Sequence, residues 1–123
     1  MINYDRRGRG ESGDTPPYAV EREVEDIEAL IDEAGRSAFV YGISSGAVLA
    51  LEAASHLSTK ITKLALYEPP FILDGSRPPF PKDYVKQVHG LMAAGRRGDA
   101  VELFMAQVGV PPEVVAQMRN DPT

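Results

Sequence analysis

An α/β fold built on a mainly parallel sheet is predicted by three features of this 123-residue chain. Short apolar runs of strand length alternate with segments of helical periodicity as far as Tyr67. The serine of Tyr41-Gly42-Ile43-Ser44-Ser45-Gly46 stands where one such run gives way to a helix. Beyond Tyr67 the strand signal stops and short helical segments follow. Alternation of strand and helix argues for parallel strands joined by right-handed crossovers.

Met1 to Asp5 reads as the end of a strand, and Arg6 to Gly13 as a glycine-punctuated loop running into Pro16-Pro17. Val20, Val24, Ile27, Ile31 and Ala34 recur at spacings of three and four, which predicts a helix over 20–34. Gly35 follows where helices commonly stop. Ala38 to Tyr41 is a short apolar run that fits a buried strand. Ala47 to Ala54 has almost no polar face, so this helix should be covered on most sides. Ile61 to Tyr67 is the next strand, ended by Pro69-Pro70. Ser76 to Pro81 carries three prolines and reads as a linker. From Lys82 onward three short helices are expected, marked by Val85 to Met92, by Val101 to Val108, and by Val114, Val115 and Met118 after Pro111-Pro112. They read as an appendage packed over the sheet.

Composition narrows the function. The net charge of −5 argues against nucleic acid or an anionic membrane surface as the main partner. There are no cysteines, so disulfides and thiolate metal sites are excluded. Two histidines, His56 and His89, cannot by themselves complete an ordinary zinc site. The first residues show neither a basic leader nor an apolar signal core. No apolar run approaches the roughly 18 residues that span a bilayer. A cytoplasmic protein is the resulting expectation.

Glycine, serine and glycine at this spacing have a chemical logic. A serine on a sharp strand-to-helix turn is held in a strained backbone conformation, with glycines on both sides where side chains are expected to clash. The following helix points its free amides at the site, where they can stabilise an oxyanion. Ser44 is then a candidate nucleophile, and the amide of Ser45 a candidate oxyanion donor. With glycine at about 7% of residues and serine taken as similar, the pentapeptide arises by chance in about a few per cent of such chains. The apolar run before it and the small-residue helix after it supply the context it needs. The competing reading is a plain glycine-rich connection. A phosphate loop would need a lysine before the serine, and a dinucleotide fingerprint a glycine where Leu49 stands.

Two motifs in register carry a resemblance to the α/β-hydrolases. Tyr4-Asp5-Arg6-Arg7-Gly8-Arg9-Gly10-Glu11-Ser12 resembles the Asp-x-Arg-Gly-x-Gly-x-Ser segment after the fourth strand of that family. Gly42-Ile43-Ser44-Ser45-Gly46 is similar to its nucleophile elbow after the fifth strand, and Leu64 to Pro69 to its sixth strand and exit. The resemblance covers essentially the whole chain. It implies a partial three-layer α/β sandwich: residues 1–75 as the central part of the hydrolase core, strand 4 to strand 6, and 76–123 as the start of a helical cap.

The function so implied is hydrolysis of an ester or related acyl bond through a seryl intermediate, with no cofactor. The partner is a small-molecule substrate, and Phe71, Phe80, Met92 and Met105 suggest an apolar acyl or alcohol group. In the family an acid and then a histidine follow the serine on later loops, and here both are expected outside the chain. His56 lies about 18 Å from Ser44 along the helix, at 1.5 Å per residue, and His89 falls in the cap region. Glu68 occupies the place where some members carry the acid; the alternative is a capping or salt-bridged glutamate at a strand exit. Non-catalytic assembly through a truncated fragment is the alternative function.

Other residues suggest structural roles. Arg6, Arg7 and Arg9 are candidates to bind an anion, and pairing with the nearby Asp5, Glu11 or Asp14 is the expected role. The carboxylates of Glu21 to Glu33 should form a solvated face, and Gly98-Asp99 a helix stop and the next cap. In the family another strand lies between the fourth and the fifth. Without it, the strands near Tyr4 and Val40 would stand about 10 Å apart. The exposed edges should then pair directly or recruit a second copy, giving a homo-oligomer.

Overall fold

The computed structural model describes residues 1–75 and 78–120. The chain divides into two compact units, Met1–Phe71 and Ile72–Thr123. The first unit holds α1 (Val20–Glu33), β1 (Ala38–Ile43), α2 (Ser45–His56) and β2 (Ile61–Tyr67). The second holds α3 (Tyr84–Ala93), α4 (Arg97–Gln107) and α5 (Pro112–Asn120).

The first helix follows from its spacing. Val24, Ile27 and Ile31 are buried on one stripe, and Glu21 and Glu23 lie in the first turn, where negative charge favours the helix dipole. It stops in a Schellman turn. The amide of Gly35, at φ 115°, bonds the Asp32 carbonyl, and that of Arg36 bonds the Ile31 carbonyl at 2.9 Å.

Strands β1 and β2 pair in parallel, with Val40 opposite Leu64 and Ile43 opposite Tyr67. A β-bulge or irregularity shifts the register between Ala38 and Phe39. In α2, Ala47 and Ala53 are fully buried, because alanine lets the helix axis approach the strands closely. Val24, Ile27, Ile31, Leu49, Ala53, Leu57 and Ile61 form one cluster, with Ala38 and Val40 packed against it. Both helices therefore build the core on the same face of the sheet. Each branched side chain there is nearly buried, and full burial of such a side chain contributes about 1.5–3 kcal/mol. The opposite face presents Phe39, Tyr41, Ile43 and Tyr67 to solvent.

Two expectations about the N-terminal segment are corrected. Residues 1–5 form no strand, and the sheet of the described residues has two strands. A strand needs a ladder partner, and this segment has none. Its polar groups turn inward on the following loop instead: Ser12 Oγ donates to the Asp5 carbonyl at 2.6 Å, and the Glu11 amide to Asp5 Oδ2 at 3.1 Å. Consequently no slot opens between two strands, and no direct pairing closes one.

In the second unit α3 ends at Gly95, at φ 72°, with the Arg96 amide bonding the Leu91 carbonyl. The expected stop at Gly98 is thus corrected. Gly98 and Asp99 lie inside the first turn of α4, and Gly95 makes the break. Arg119 of α5 pairs with Asp99 and Glu102 of α4. Phe80 meets Tyr84 edge to face at 4.9 Å. Of the expected linker, Ser76 and Arg77 lie outside the described residues, and Pro78 to Pro81 have no regular structure.

Candidate active site

Ser44 sits between β1 and α2 at φ 51° and ψ −120°, a conformation that side chains rarely adopt. Two sets of bonds hold it there. Its amide donates to the Tyr67 carbonyl at 2.9 Å, which ties the turn to the end of β2. Its own carbonyl accepts from Ala47 at 2.9 Å and Val48 at 3.3 Å, which starts the helix. The side chain is exposed. Ser45 opens α2, at a position whose amide has no acceptor within the helix.

The two glycines of the turn differ. A Cβ on Gly42 would lie 2.4 Å from the Gly46 carbonyl oxygen and 2.7 Å from Ala47 Cα, so backbone crosses backbone there. A Cβ on Gly46 would meet nothing within 4 Å. The expected clash on both sides of the serine is therefore corrected to one side. Gly46 contributes its backbone to the crossing, and its missing side chain leaves no such crowding.

Glu68 follows β2 at φ 47°, one residue beyond the carbonyl that anchors Ser44. The parallel register thus brings the backbones of Ser44 and Glu68 to the same end of paired strands. His56 is at the other end of α2, where Nδ1 lies 3.0 Å from the Glu52 carbonyl and 3.1 Å from Ser55 Oγ. It is not a neighbour of Ser44. His89 is exposed on α3 in the second unit. Among the described residues no group of three or more histidine or carboxylate side chains could hold a metal ion. No helix among them is long and apolar enough to cross a membrane. A shallow hollow of the first unit, bordered by Tyr4, Arg7, Thr15 and Asp26, does not include Ser44.

The arginine loop is clamped to α1 rather than to its own carboxylates, which corrects the expected partners. Arg6 pairs through Nε and Nη2 with Glu23, and Tyr18 donates to Glu23 Oε1 at 2.9 Å. Arg7 pairs with Asp26 at 2.7 Å. Glu23 is 3% exposed, so the carboxylates of α1 are not all on a solvated face. The Arg6 hydrogen bonds hold the Glu23 carboxyl below the usual glutamate range, against burial. Burial in turn pushes the Tyr4 and Tyr18 hydroxyls up. One signal for the buried pair was present in the sequence: Glu23 lies four residues before Ile27, on the apolar stripe. Gly10 has the complementary constraint, since a Cβ there would lie 2.1 Å from Asp5 Oδ2.

Comparisons with known proteins agree with this geometry. Residues 1–122 match the model of the alpha/beta hydrolase family. A crystal structure of an alpha/beta hydrolase from Sphaerobacter thermophilus DSM 20745 is 61% identical and superposes with a TM-score of 0.85. The match covers 97% of this chain and 46% of that one, so the chain spans less than half the length of that solved relative. No curated protein matches the chain. A serine in a strained turn between parallel strand and helix, with a family match along 1–122, places the chain in the alpha/beta hydrolase family.

Proposed function

We propose that the chain carries the nucleophile of a serine hydrolase acting on an ester or related acyl bond, with Ser44 as that nucleophile. The observation that supports this most is the backbone of Ser44, held at positive φ by the Tyr67 carbonyl and presented at the N-terminus of α2. Strain of this kind costs about 1–3 kcal/mol and persists where surrounding bonds over-determine it. In the proposed step Ser44 Oγ attacks the carbonyl carbon while a base takes its proton. The negative charge on the carbonyl oxygen meets the Ser45 amide, and the alcohol leaves with a proton. Water then cleaves the acyl-serine.

The base is not His56, which sits at the far end of α2. Glu68 is the proposed acid, because it shares the strand end with Ser44. Such an acid acts by orienting a histidine base. The substrate class, an apolar ester, rests on the apolar residues Phe71, Phe80, Met92 and Met105.

A fluorophosphonate probe followed by mass spectrometry tests the reading. An adduct on Ser44 that is absent from Ser44→Ala supports it. A folded chain that stays unlabelled, or a label that survives the substitution, counts against it and favours a non-catalytic assembly module.

A further inference from the structure

Two side-chain-bearing residues hold positive φ at the same end of the paired strands, Ser44 at 51° and Glu68 at 47°. Side chains rarely take that conformation. In Glu68 it also opposes Pro69, because a proline pushes the residue before it toward extended backbone. Strain of this kind persists where surrounding bonds over-determine it, and its position points to function.

One peptide group joins the two strained residues. The plane between Tyr67 and Glu68 carries the Tyr67 carbonyl, which accepts from the Ser44 amide at 2.9 Å. That plane is rigid, so its direction is set by the soft dihedrals on either side, ψ of Tyr67 and φ of Glu68. If Glu68 relaxed to extended φ while the ladder held β2 in register, the plane would turn over and carry the carbonyl away from β1. The Ser44 amide would then lose its acceptor. The bonds from Ala47 and Val48 to the Ser44 carbonyl would remain, but they fix only the helix side of the turn.

We propose that Glu68 is a positioning residue for Ser44: its left-handed backbone, separately from its carboxylate, aims the Tyr67 carbonyl at the Ser44 amide. This rests on the reading of Ser44 as the nucleophile and gives position 68 a second part in it. The two strained residues then act as a pair. Glu68 at positive φ supplies the acceptor, and the acceptor keeps Ser44 at positive φ, where its hydroxyl stands at the start of α2. What position 68 requires is tolerance of that backbone conformation. Glycine has it and a β-branched residue does not.

Amide hydrogen exchange by NMR on the whole chain is the test, with Glu68→Val, Glu68→Gly and Glu68→Gln. The Ala38 amide, bonded to the Lys60 carbonyl at 2.9 Å at the other end of the strand pair, is the reference for the fold as a whole. Valine is strongly disfavoured at positive φ, so Glu68→Val should speed exchange at Ser44 at least about tenfold relative to Ala38. Glu68→Gly should keep Ser44 protected, although it discards the whole side chain. Glu68→Gln, which keeps the length and loses the charge, should keep it too.

Fluorophosphonate labelling adds the chemistry. The glycine and valine variants both lack the carboxylate, so label should form at least about tenfold faster on Glu68→Gly than on Glu68→Val. The proposal is overturned by a Ser44 amide that is unprotected in the wild type, by equal protection in Glu68→Val and Glu68→Gly, or by losses in Glu68→Gly and Glu68→Gln as large as that in Glu68→Val. Where the wild type labels, equal rates on the glycine and valine variants overturn it as well. A wild type that takes no label, with exchange in the expected order, refutes the nucleophile and leaves the backbone tie from Glu68 to Ser44 supported.

Discussion

At the scale of single residues, the serine turn is a packing problem before it is a chemical one. The end of β1 and the start of α2 approach so closely that Gly42 has no room for one carbon, whereas Gly46 has open space. The pair therefore separates close approach from the glycine pattern as such. Gly42→Ala should destabilise the chain by about 1–3 kcal/mol, because the colliding atoms are backbone and cannot rotate away. Gly46→Ala lies within α2 and should be neutral, or stabilising by up to about 1 kcal/mol through helix propensity. Urea denaturation compares them directly. Equal losses from both substitutions would contradict the one-sided crowding. Gly42→Ala should also reduce any labelling of Ser44, since it displaces the turn that presents the hydroxyl.

Among the elements, the N-terminal segment is held by side chains and not by a ladder. Glu23 receives Arg6 and Tyr18 at the start of α1, so one carboxylate fixes the loop, the residues leading into the helix and the helix itself. Glu23→Gln removes the charge and leaves the buried guanidinium without its counterion. A loss of about 2 kcal/mol at neutral pH is expected, below the 3–5 kcal/mol for a fully buried pair because Arg6 keeps some solvent contact. The pH dependence has a definite sign. Glu23 has a folded pKa below its unfolded value, so its stabilisation is present above about pH 4.3. It is lost as the pH falls through the folded value. Thermal unfolding from neutral to acid pH should show the wild type losing its advantage over Glu23→Gln below about pH 4. A difference that stays constant into acid would remove Glu23 from this role.

The same elements show how far the sequence alone could reach. Helix α1 was legible because its periodicity comes from its own burial. Strand β2 and the three short helices were legible from the length and spacing of their apolar runs, although most of those side chains are not buried. The strand at 1–5 was misread because pairing is a property of the neighbour, and apolar residues cannot announce that none is present. The serine turn was legible from its glycines. Its tie to the Tyr67 carbonyl was not, since backbone bonding across strands leaves no mark on side-chain identity. The arginine partners were misassigned by preferring carboxylates near in sequence to those near in space.

At the scale of the whole molecule, burial is unevenly divided. The first unit holds the apolar cluster of α1, α2 and β2. In the second, Ala100 is the buried residue among those described, while Val85, Met92, Val101, Phe104 and Met118 are exposed. Regions with few buried apolar contacts open locally at a lower free energy than the core. Native-state hydrogen exchange should therefore show amides of β1, β2 and α2 protected to near the global stability. Those of α3, α4 and α5 should exchange at least about tenfold faster, which corresponds to a gap of 1.4 kcal/mol or more. Equal protection in all seven elements would instead mean that the second unit is as stable as the first, and would contradict this division.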